Sequence, residues 1–354
     1  MDLPVATVSI LVLNWNGQKF LEPCLRSLQA QTFRDFEVIL VDNGSTDGSS
    51  AFVRETFAGW LTQQELPRLR LLELNENSGF SGGNNHALAV VDPRTPFIAT
   101  LNNDTLAEPE WLATLVAALQ EREKGWGAAC GPMLFSSVQA KAQPVIASAG
   151  IEIRRDGLAL DRHVGQPLQS GSEPEEIFGP CAGAALYRYE VIEKVGFFDE
   201  AFFAYLEDAD LAWRMRLAGY RTLFLPNALV WHEYSGTGKQ GSPFKNYQLG
   251  RNRLWVILKD WPSALLWRHA LAIIFYDLAA SAYTLLRGNT HSLRGRLAAL
   301  QPRHLRRLIK QRRAIQRERV VTPVELEAWL QPSATPLETL RLRKTTDKLV
   351  NLPS

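Results

Sequence analysis

The chain reads as an α/β protein: a mixed, mostly parallel sheet flanked by helices, with a C-terminal helical extension. Three observations predict it. Short runs rich in Ile, Val and Leu alternate with amphipathic stretches through the first 125 residues. A polar string, small residues among it, follows each of those runs. From residue 246 onward the pattern is helical, with a basic stretch in its middle.

Val8 to Leu13, Glu37 to Val41, Leu69 to Leu74 and Phe97 to Leu101 are short and nearly continuously apolar. That marks strands buried on both faces, as in a parallel sheet. Amphipathic stretches near 19–30, 48–58, 83–91 and 109–122 supply the covering helices. After Gly125, GAACGPML reads as a further strand, and residues 136–178 as a loop-rich or antiparallel excursion. GPCAGAALYRYEVIEKVGFFDE then gives a small-residue strand and a helix. Thr222 to Trp231 reads as one buried strand ending at His232, and SGTGKQGS after it as a flexible loop.

Composition narrows the class. With 354 residues, 46% apolar and 21% charged, the chain can bury a full core and need not be disordered. A net charge of +2 hides an uneven distribution: Arg287 to Arg319 holds eleven Lys or Arg against one acid, Glu318. A basic tail on an acidic body implies a partner for the tail. Cys24, Cys130 and Cys181 are odd in number and widely spaced, which reads as reduced thiols in a cytoplasmic protein. The first apolar run, VSILVLNW, has no basic region before it and reads as a strand rather than a signal peptide. Leu265 to Leu286 is interrupted by Arg268, His269 and Asp277, which argues against a simple membrane span.

Ligands of parallel sheets bind at the carboxyl ends of the strands. The residues there are Asn14-Trp15-Asn16-Gly17, Asp42-Asn43-Gly44-Ser45, Asn75 to Gly83, and Asn102-Asn103-Asp104. Asp42 opens DNGSTDGS, either as a turn with Asp47 or Ser45 capping the next helix, or as an acceptor for a base N–H. NSGFSGGNN lacks the dinucleotide fingerprint yet offers backbone amides to a phosphate. SGTGK fails as a Walker motif because Glu233 and Gln240 stand where Gly and Ser or Thr are needed. Asp104 and His232, each at a strand tip, are candidate ligands for Mg²⁺ or Mn²⁺, with a surface histidine as the plainer account of His232. In FFAYLEDADLAWRMRLAGY, Glu207, Asp208 and Asp210 open a helix, where acids ordinarily just complement the dipole. Their aromatic and apolar company also suits a proton acceptor, since partial desolvation raises carboxylate basicity.

Taken together, NWNG, VDNGSTDGS, NSGFSGGNN, LNNDT, GFFDEAFFAYLEDADLAWRMRLAGY, VWH and RNRL resemble the inverting glycosyltransferase family 2, most of all its bacterial rhamnosyltransferase-like branch. The resemblance runs from about Val8 to about Lys259. It implies a GT-A fold over residues 1–245, with a nucleotide-binding half (1–125) and an acceptor half (126–245), followed by the helical, basic extension 246–354. It implies that Asp42 holds the nucleobase and that Asn75 and Asn77 lie along the ribose and diphosphate, with Asn14, Gly82 and Asn103 on the same donor side. Asp104 and His232 would bind the divalent cation. Asp208 would be the catalytic base, with Glu207 and Asp210 positioning acceptor and helix. One departure stands out: the family's metal motif is commonly Asp-x-Asp, whereas Asn102-Asn103-Asp104 offers one carboxylate.

The implied reaction is transfer of a sugar from a nucleotide sugar, with dTDP-rhamnose favoured over UDP-galactose, UDP-glucose or GDP-mannose, to a glycan or polyprenyl-linked acceptor. For the tail, docking on an anionic membrane surface at the inner face of the cytoplasmic membrane stands beside a packed helical hairpin with a solvated basic face. Nucleic-acid binding is not expected, since no recognisable module and no aromatic platform lie within the basic segment. A sugar nucleotidyltransferase would need a basic, glycine-rich N-terminal signature, and residues 8–20 contain only Lys19.

Overall fold

The computed structural model describes residues 4–136, 144–169, 171–233, 241–288 and 290–335, with Glu338 and Leu349. The strands are β1 (Val8–Asn14), β2 (Phe36–Asn43), β3 (Arg68–Leu74), β4 (Phe97–Asn102), β5 (Thr105–Ala107), β6 (Trp126–Cys130), β7 (Met133–Phe135), β8 (Ile146–Ser148), β9 (Ile151–Arg154), β10 (Ala159–Asp161), β11 (Glu175–Ile177), β12 (Ala184–Arg188), β13 (Arg221–Phe224), β14 (Val230–His232) and β15 (Leu330–Gln331). The helices are α1 (Gln18–Gln29), α2 (Ser49–Thr56), α3 (Ala58–Leu61), α4 (Gly79–Leu88), α5 (Trp111–Gln120), α6 (Tyr189–Val195), α7 (Glu207–Leu217), α8 (Pro243–Asp260), α9 (Ser263–Leu286), α10 (His291–Ala299), α11 (Pro302–Glu318) and α12 (Pro323–Glu327).

An eight-stranded sheet runs in the order β11-β13-β6-β12-β4-β1-β2-β3. From β4 to β3 every pairing is parallel, while β12 runs antiparallel to both β4 and β6. The expected α/β class and its mostly parallel first half are therefore present. One apolar cluster packs Val8, Ile10, Leu21, Leu25, Trp111 and Leu115 on one face of the sheet. Another packs Leu11, Ile39, Val41, Ile98, Tyr187 and Leu211 on the other. Alternate residues of β1 thus enter opposite cores, which is why its sequence shows no polar face.

Two expectations need correcting. Thr222 to Trp231 is not one strand: the chain turns at Pro226-Asn227, so that β13 joins the large sheet and β14 the smaller β5-β14-β7-β8 sheet. Proline has no N–H to give a ladder, which ends the first segment. Helix α4 begins at Gly79, inside NSGFSGGNN and ahead of the stretch near 83–91 expected to be helical. Its glycines serve close packing: a Cβ on Gly83 would lie 2.3 Å from Leu13 Cδ1, and one on Gly79, at φ 76°, 2.4 Å from the Phe203 carbonyl oxygen. The glycine-serine loop lies, except for Gly241 and Ser242, outside the described residues.

The C-terminal helices share a core with residues of the 126–245 region. Ile151, Phe178, Phe202 and Trp213 pack with Trp255, Trp261, Leu308 and Leu326. β15 adds a strand to the β10-β9 hairpin. Segment 263–286, whose charges argue against a simple membrane span, is one 24-residue helix, long and apolar enough by length and composition to cross a membrane. Its charges are turned to the body instead. Asp277 is bonded by Arg253 at 2.7 Å and Arg296 at 2.9 Å, Arg268 pairs with Glu327, and His269 lies 3.1 Å from Glu327.

Candidate active site

Strand register brings the carboxyl ends together. Asn14 is paired with Asp42, and Leu13 with Asn102, so β1, β2 and β4 finish side by side. The Asn102 amide donates to the Gly183 carbonyl at 2.9 Å, which places the Cys181–Gly183 segment at that same edge. The Ala182 amide in turn donates to Asp208 Oδ2 at 3.4 Å. From the other side β14 pairs His232 with Thr105, setting its Nε2 3.2 Å from Asp104 Oδ1. Asp42, Asp104, Asp208 and His232, far apart in the chain, thus stand along one edge of the sheet.

Not every candidate residue faces outward there. Asn14 is fully buried: its Nδ2 donates to Ser45 Oγ at 3.2 Å, and its Oδ1 accepts from Asn103 Nδ2 at 2.7 Å. This pair ties the ends of β1 and β4 together, so Asn14 and Asn103 are scaffold rather than open donors. Gly17 must be small for that tie, since its Cβ would lie 2.3 Å from Asn103 Nδ2. Asp42 accepts from the Ser45 amide at 3.2 Å and from the Ser50 hydroxyl, so the turn expected of DNGSTDGS is present, while the residue that caps α2 is Gly48, without a side-chain bond, rather than Asp47 or Ser45. Asp47 likewise accepts from the Ser49 amide at 3.1 Å.

The amides expected to face a phosphate are already taken. Ser78 N donates to Asn43 Oδ1 at 3.0 Å, Gly79 N to Asn77 Oδ1 at 2.8 Å, and Ser81 N to the Phe203 carbonyl at 3.1 Å. Gly82 is buried within α4 and meets Ser78 rather than the cleft. Asn77 is further fixed by Asn43 Nδ2 at 3.0 Å, whereas Asn75 is exposed on the rim.

Among the acids of α7, three different environments appear. Asp210 is fully buried, bonded through Oδ2 to Arg214 Nε at 2.8 Å and through Oδ1 to Lys259 Nζ at 2.5 Å. It cannot touch a ligand, and of the two roles expected for it only the positioning of the helix fits. Glu207 is buried beneath the site, and burial, then Asp208, raise its carboxyl well above the ordinary range. Asp208 is half-buried, and burial, then the Asp161 carboxylate, push it up to about 6. A carboxylate of that basicity is mostly ionised at neutral pH yet a better proton acceptor than an exposed one.

Asp161 was not foreseen. It reaches the site because the β9-β10 hairpin folds back, pairing Asp161 with Ile151, and burial raises its carboxyl too. DGLALDRH carries the composition of an ordinary turn, so no local signal marked it.

Asp104 and His232 together supply one hard oxygen and one imidazole nitrogen. Among the described residues no group of three or more His, Cys, Asp or Glu stands close enough to hold a metal by protein ligands alone. Two protein ligands suit a cation whose remaining positions are filled by water and phosphate oxygens, the usual arrangement for Mg²⁺ at a diphosphate.

The sequence profile of glycosyl transferase family 2 matches residues 9–196. An N-acetylglucosaminyl-diphospho-decaprenol L-rhamnosyltransferase of Mycobacterium tuberculosis is 25% identical over 320 residues, covering 83% of this chain and 98% of that one. Among solved structures, the mannosyltransferase PcManGT from Pyrobaculum calidifontis, in complex with GDP-Man and Mn²⁺, is 17% identical. The alignment covers 88% of this chain and 89% of that one, with a TM-score of 0.50. GalNAc-T7 with UDP, GalNAc and Mn²⁺ is 16% identical and aligns with a TM-score of 0.57, over 74% of this chain and 49% of that one. With the family profile spanning more than half its length and the GT-A architecture beneath it, the chain belongs to glycosyltransferase family 2 and is a glycosyltransferase.

Proposed function

We propose that this glycosyltransferase moves L-rhamnose from dTDP-rhamnose to a polyprenyl-linked or glycan acceptor in cell-surface polysaccharide synthesis, with inversion at the anomeric carbon. The observation that carries the reading is the half-buried, basic Asp208 carboxylate on the sheet edge that also bears the Asp104–His232 pair. Asp208 takes the proton of an acceptor hydroxyl as that oxygen bonds to the anomeric carbon. On the opposite face the bond from that carbon to the diphosphate oxygen breaks, and the nucleoside diphosphate leaves with the electron pair. Asp104 and His232 would hold a divalent cation, which would neutralise charge building on that diphosphate. Burial and the neighbouring Asp208 carboxylate raise the Glu207 carboxyl, so it gives up its proton less readily than an exposed glutamate.

The choice of sugar and acceptor is supported by the similarity to the mycobacterial rhamnosyltransferase, whose name gives N-acetylglucosaminyl-diphospho-decaprenol as its acceptor. Nucleoside diphosphate release measured from dTDP-rhamnose, UDP-galactose, UDP-glucose and GDP-mannose tests it. The expected result is fastest release from dTDP-rhamnose, suppressed by EDTA and restored by Mn²⁺ or Mg²⁺. Faster release from another sugar nucleotide overturns the sugar, and EDTA-insensitive release overturns the cation.

A lipid-linked acceptor fits a protein lying on the inner leaflet. Helix α9 turns Trp267, Leu271, Ile274, Phe275 and Leu278 outward, with Trp267 83% and Leu271 85% exposed. On α11, Arg303, Arg306, Lys310, Arg313 and Arg317 are exposed at helical spacing, while Arg307 and Arg312 turn inward to Asp199 and the Trp261 carbonyl. Apolar and cationic faces together suit adsorption to an anionic surface, each cation adding about 1 kcal/mol at low salt. Because the charges of α9 are tied to the body, the helix is read as lying on the leaflet rather than crossing it. Flotation with phosphatidylglycerol vesicles, weakened by salt and lost in an Arg306→Glu, Lys310→Glu, Arg313→Glu variant, is expected. Indifference to vesicle charge discards the docking.

A further inference from the structure

We infer that Asn252, with Arg251 beside it, is a positioning residue for glycosyl transfer, locking the backbone turn that aims Asp208; the inference rests on the reading of Asp208 as the base. The turn is conformationally costly. Phe203, Tyr205 and Leu206 have φ of 64°, 72° and 68°, and none of them is glycine. Left-handed backbone costs a side-chain-bearing residue about 1–2 kcal/mol, so three within four positions persist only if held from outside. Leu206 is also the residue that caps α7, and it brings no side-chain hydrogen bond to the helix end. Asp208 follows two residues later.

What holds the turn is α8. Asn252 Nδ2 lies 3.1, 3.0 and 2.7 Å from the carbonyl oxygens of Phe202, Ala204 and Tyr205. Arg251 Nη2 donates to the carbonyls of Ala201 at 3.0 Å and Phe202 at 2.9 Å. Arg251 Nε donates to Asn252 Oδ1 at 2.9 Å, which orients the amide so that its NH₂ group faces the turn. Ser81 N takes the remaining carbonyl, that of Phe203. Every carbonyl from Ala201 to Tyr205 therefore accepts a hydrogen bond from outside the turn. Asn252 is fully buried, so no water replaces it when it is lost. The chemistry is sensitive to this turn because a base misplaced by about 1 Å forfeits about 10²-fold in rate.

Asn252→Ala removes the donors, and Asn252→Asp keeps the shape while turning two acceptor oxygens on the carbonyls. Leu326→Ala, in the core of the extension, controls for lost stability alone. In hydrogen–deuterium exchange without substrate, both Asn252 variants should exchange segment 201–208 at least about 10-fold faster, and Leu326→Ala should not. With dTDP-rhamnose, dTDP release should fall about 10–100-fold in kcat, with donor KM within about twofold. Because the effect passes through the base, adding Asn252→Ala to Asp208→Asn should lower kcat no further. Unchanged exchange in segment 201–208, or an undiminished effect in the Asp208→Asn background, overturns the positioning role. If Asp208→Asn itself keeps wild-type turnover, the base assignment fails, and the exchange result still decides whether Asn252 holds the turn.

Discussion

Asp208→Asn should lower kcat by about 10²–10⁴-fold while donor binding stays nearly unchanged, the usual contribution of a general base. The same carboxyl should set the acid limb of the pH profile. Burial and Asp161 place it at about 6, so kcat/KM should fall tenfold per pH unit below that value. Folding stability responds in the opposite sense. Native Asp208 holds its proton more tightly than the unfolded chain, whose carboxyl titrates near 3.8. Its contribution to stability is fully present below 3.8 and is lost as pH rises through about 6. At pH 8 the ionised, half-buried group opposes folding by on the order of 1–2 kcal/mol, after allowance for its exposed edge. Asp208→Asn should therefore melt higher than wild type at pH 8 and no higher at pH 4, while losing turnover at both. Wild-type turnover in this variant, or an acid limb near pH 4, would sink the assignment. A melting gain without a catalytic loss would mark Asp208 as a buried acid with no part in the chemistry.

Much of this arrangement was legible in the amino-acid order, and the parts that were not share a cause. Strands β1 to β4 are short and bounded by polar ends, and β1, β2 and β4 are buried on both faces while β3 is a partly exposed edge, so composition alone located them to within a residue or two. Asp208 stood out because an acidic helix start rarely follows so many aromatic residues. The misreadings concern polar groups satisfied across long sequence distances. Asn14 and Asn103, 89 residues apart, look from sequence like open donors and are in fact each other's partners. The amides of Ser78 and Gly79 are consumed by Asn43 and Asn77, a geometry that only the closed β2–α4 packing creates. Asp161 enters through a hairpin with no distinguishing composition. Asn252 appeared within RNRL, but nothing in that string says that its amide meets three carbonyls some 50 residues upstream.

Lys259→Met should destabilise the protein by about 3–5 kcal/mol, lowering its melting temperature by on the order of 10 °C, although Lys259 lies some 50 residues beyond the candidate base. Its ammonium is 2% exposed and lies 2.5 Å from Asp210 Oδ1 and 2.8 Å from Asp199 Oδ2. Burial works against the charge, yet Asp210, Asp260 and Asp199 hold the ammonium above its ordinary value. Asp199 also accepts from Arg307 at 2.7 Å and Gln311 at 3.0 Å, and despite its burial Lys259 and Arg307 hold it well below the usual carboxylate range. The knot joins α8 and α11 to both ends of the segment that delivers Asp208: Asp199 before the turn and Asp210 after it. Removing the ammonium takes one of two cationic partners from each of two buried carboxylates, leaving Asp210 with Arg214 alone and Asp199 with Arg307; in a low-dielectric interior that is costlier than removing an exposed pair. Both stabilising carboxylate–ammonium contacts should persist across neutral pH. Asp199 loses its share only as pH falls through its depressed value, and Lys259 only as pH rises through its raised one. The measurement is thermal melting at pH 7, with Lys124→Met, at an exposed pair with Glu190, as the comparison. A loss below about 1 kcal/mol, no larger than that of the exposed pair, would show that the C-terminal helices rest on the catalytic region without bracing it. A loss of the expected size makes residues 246–354 part of the framework that shapes the candidate site, since the helix carrying Asp208 would then owe its place to a cation supplied from beyond residue 245.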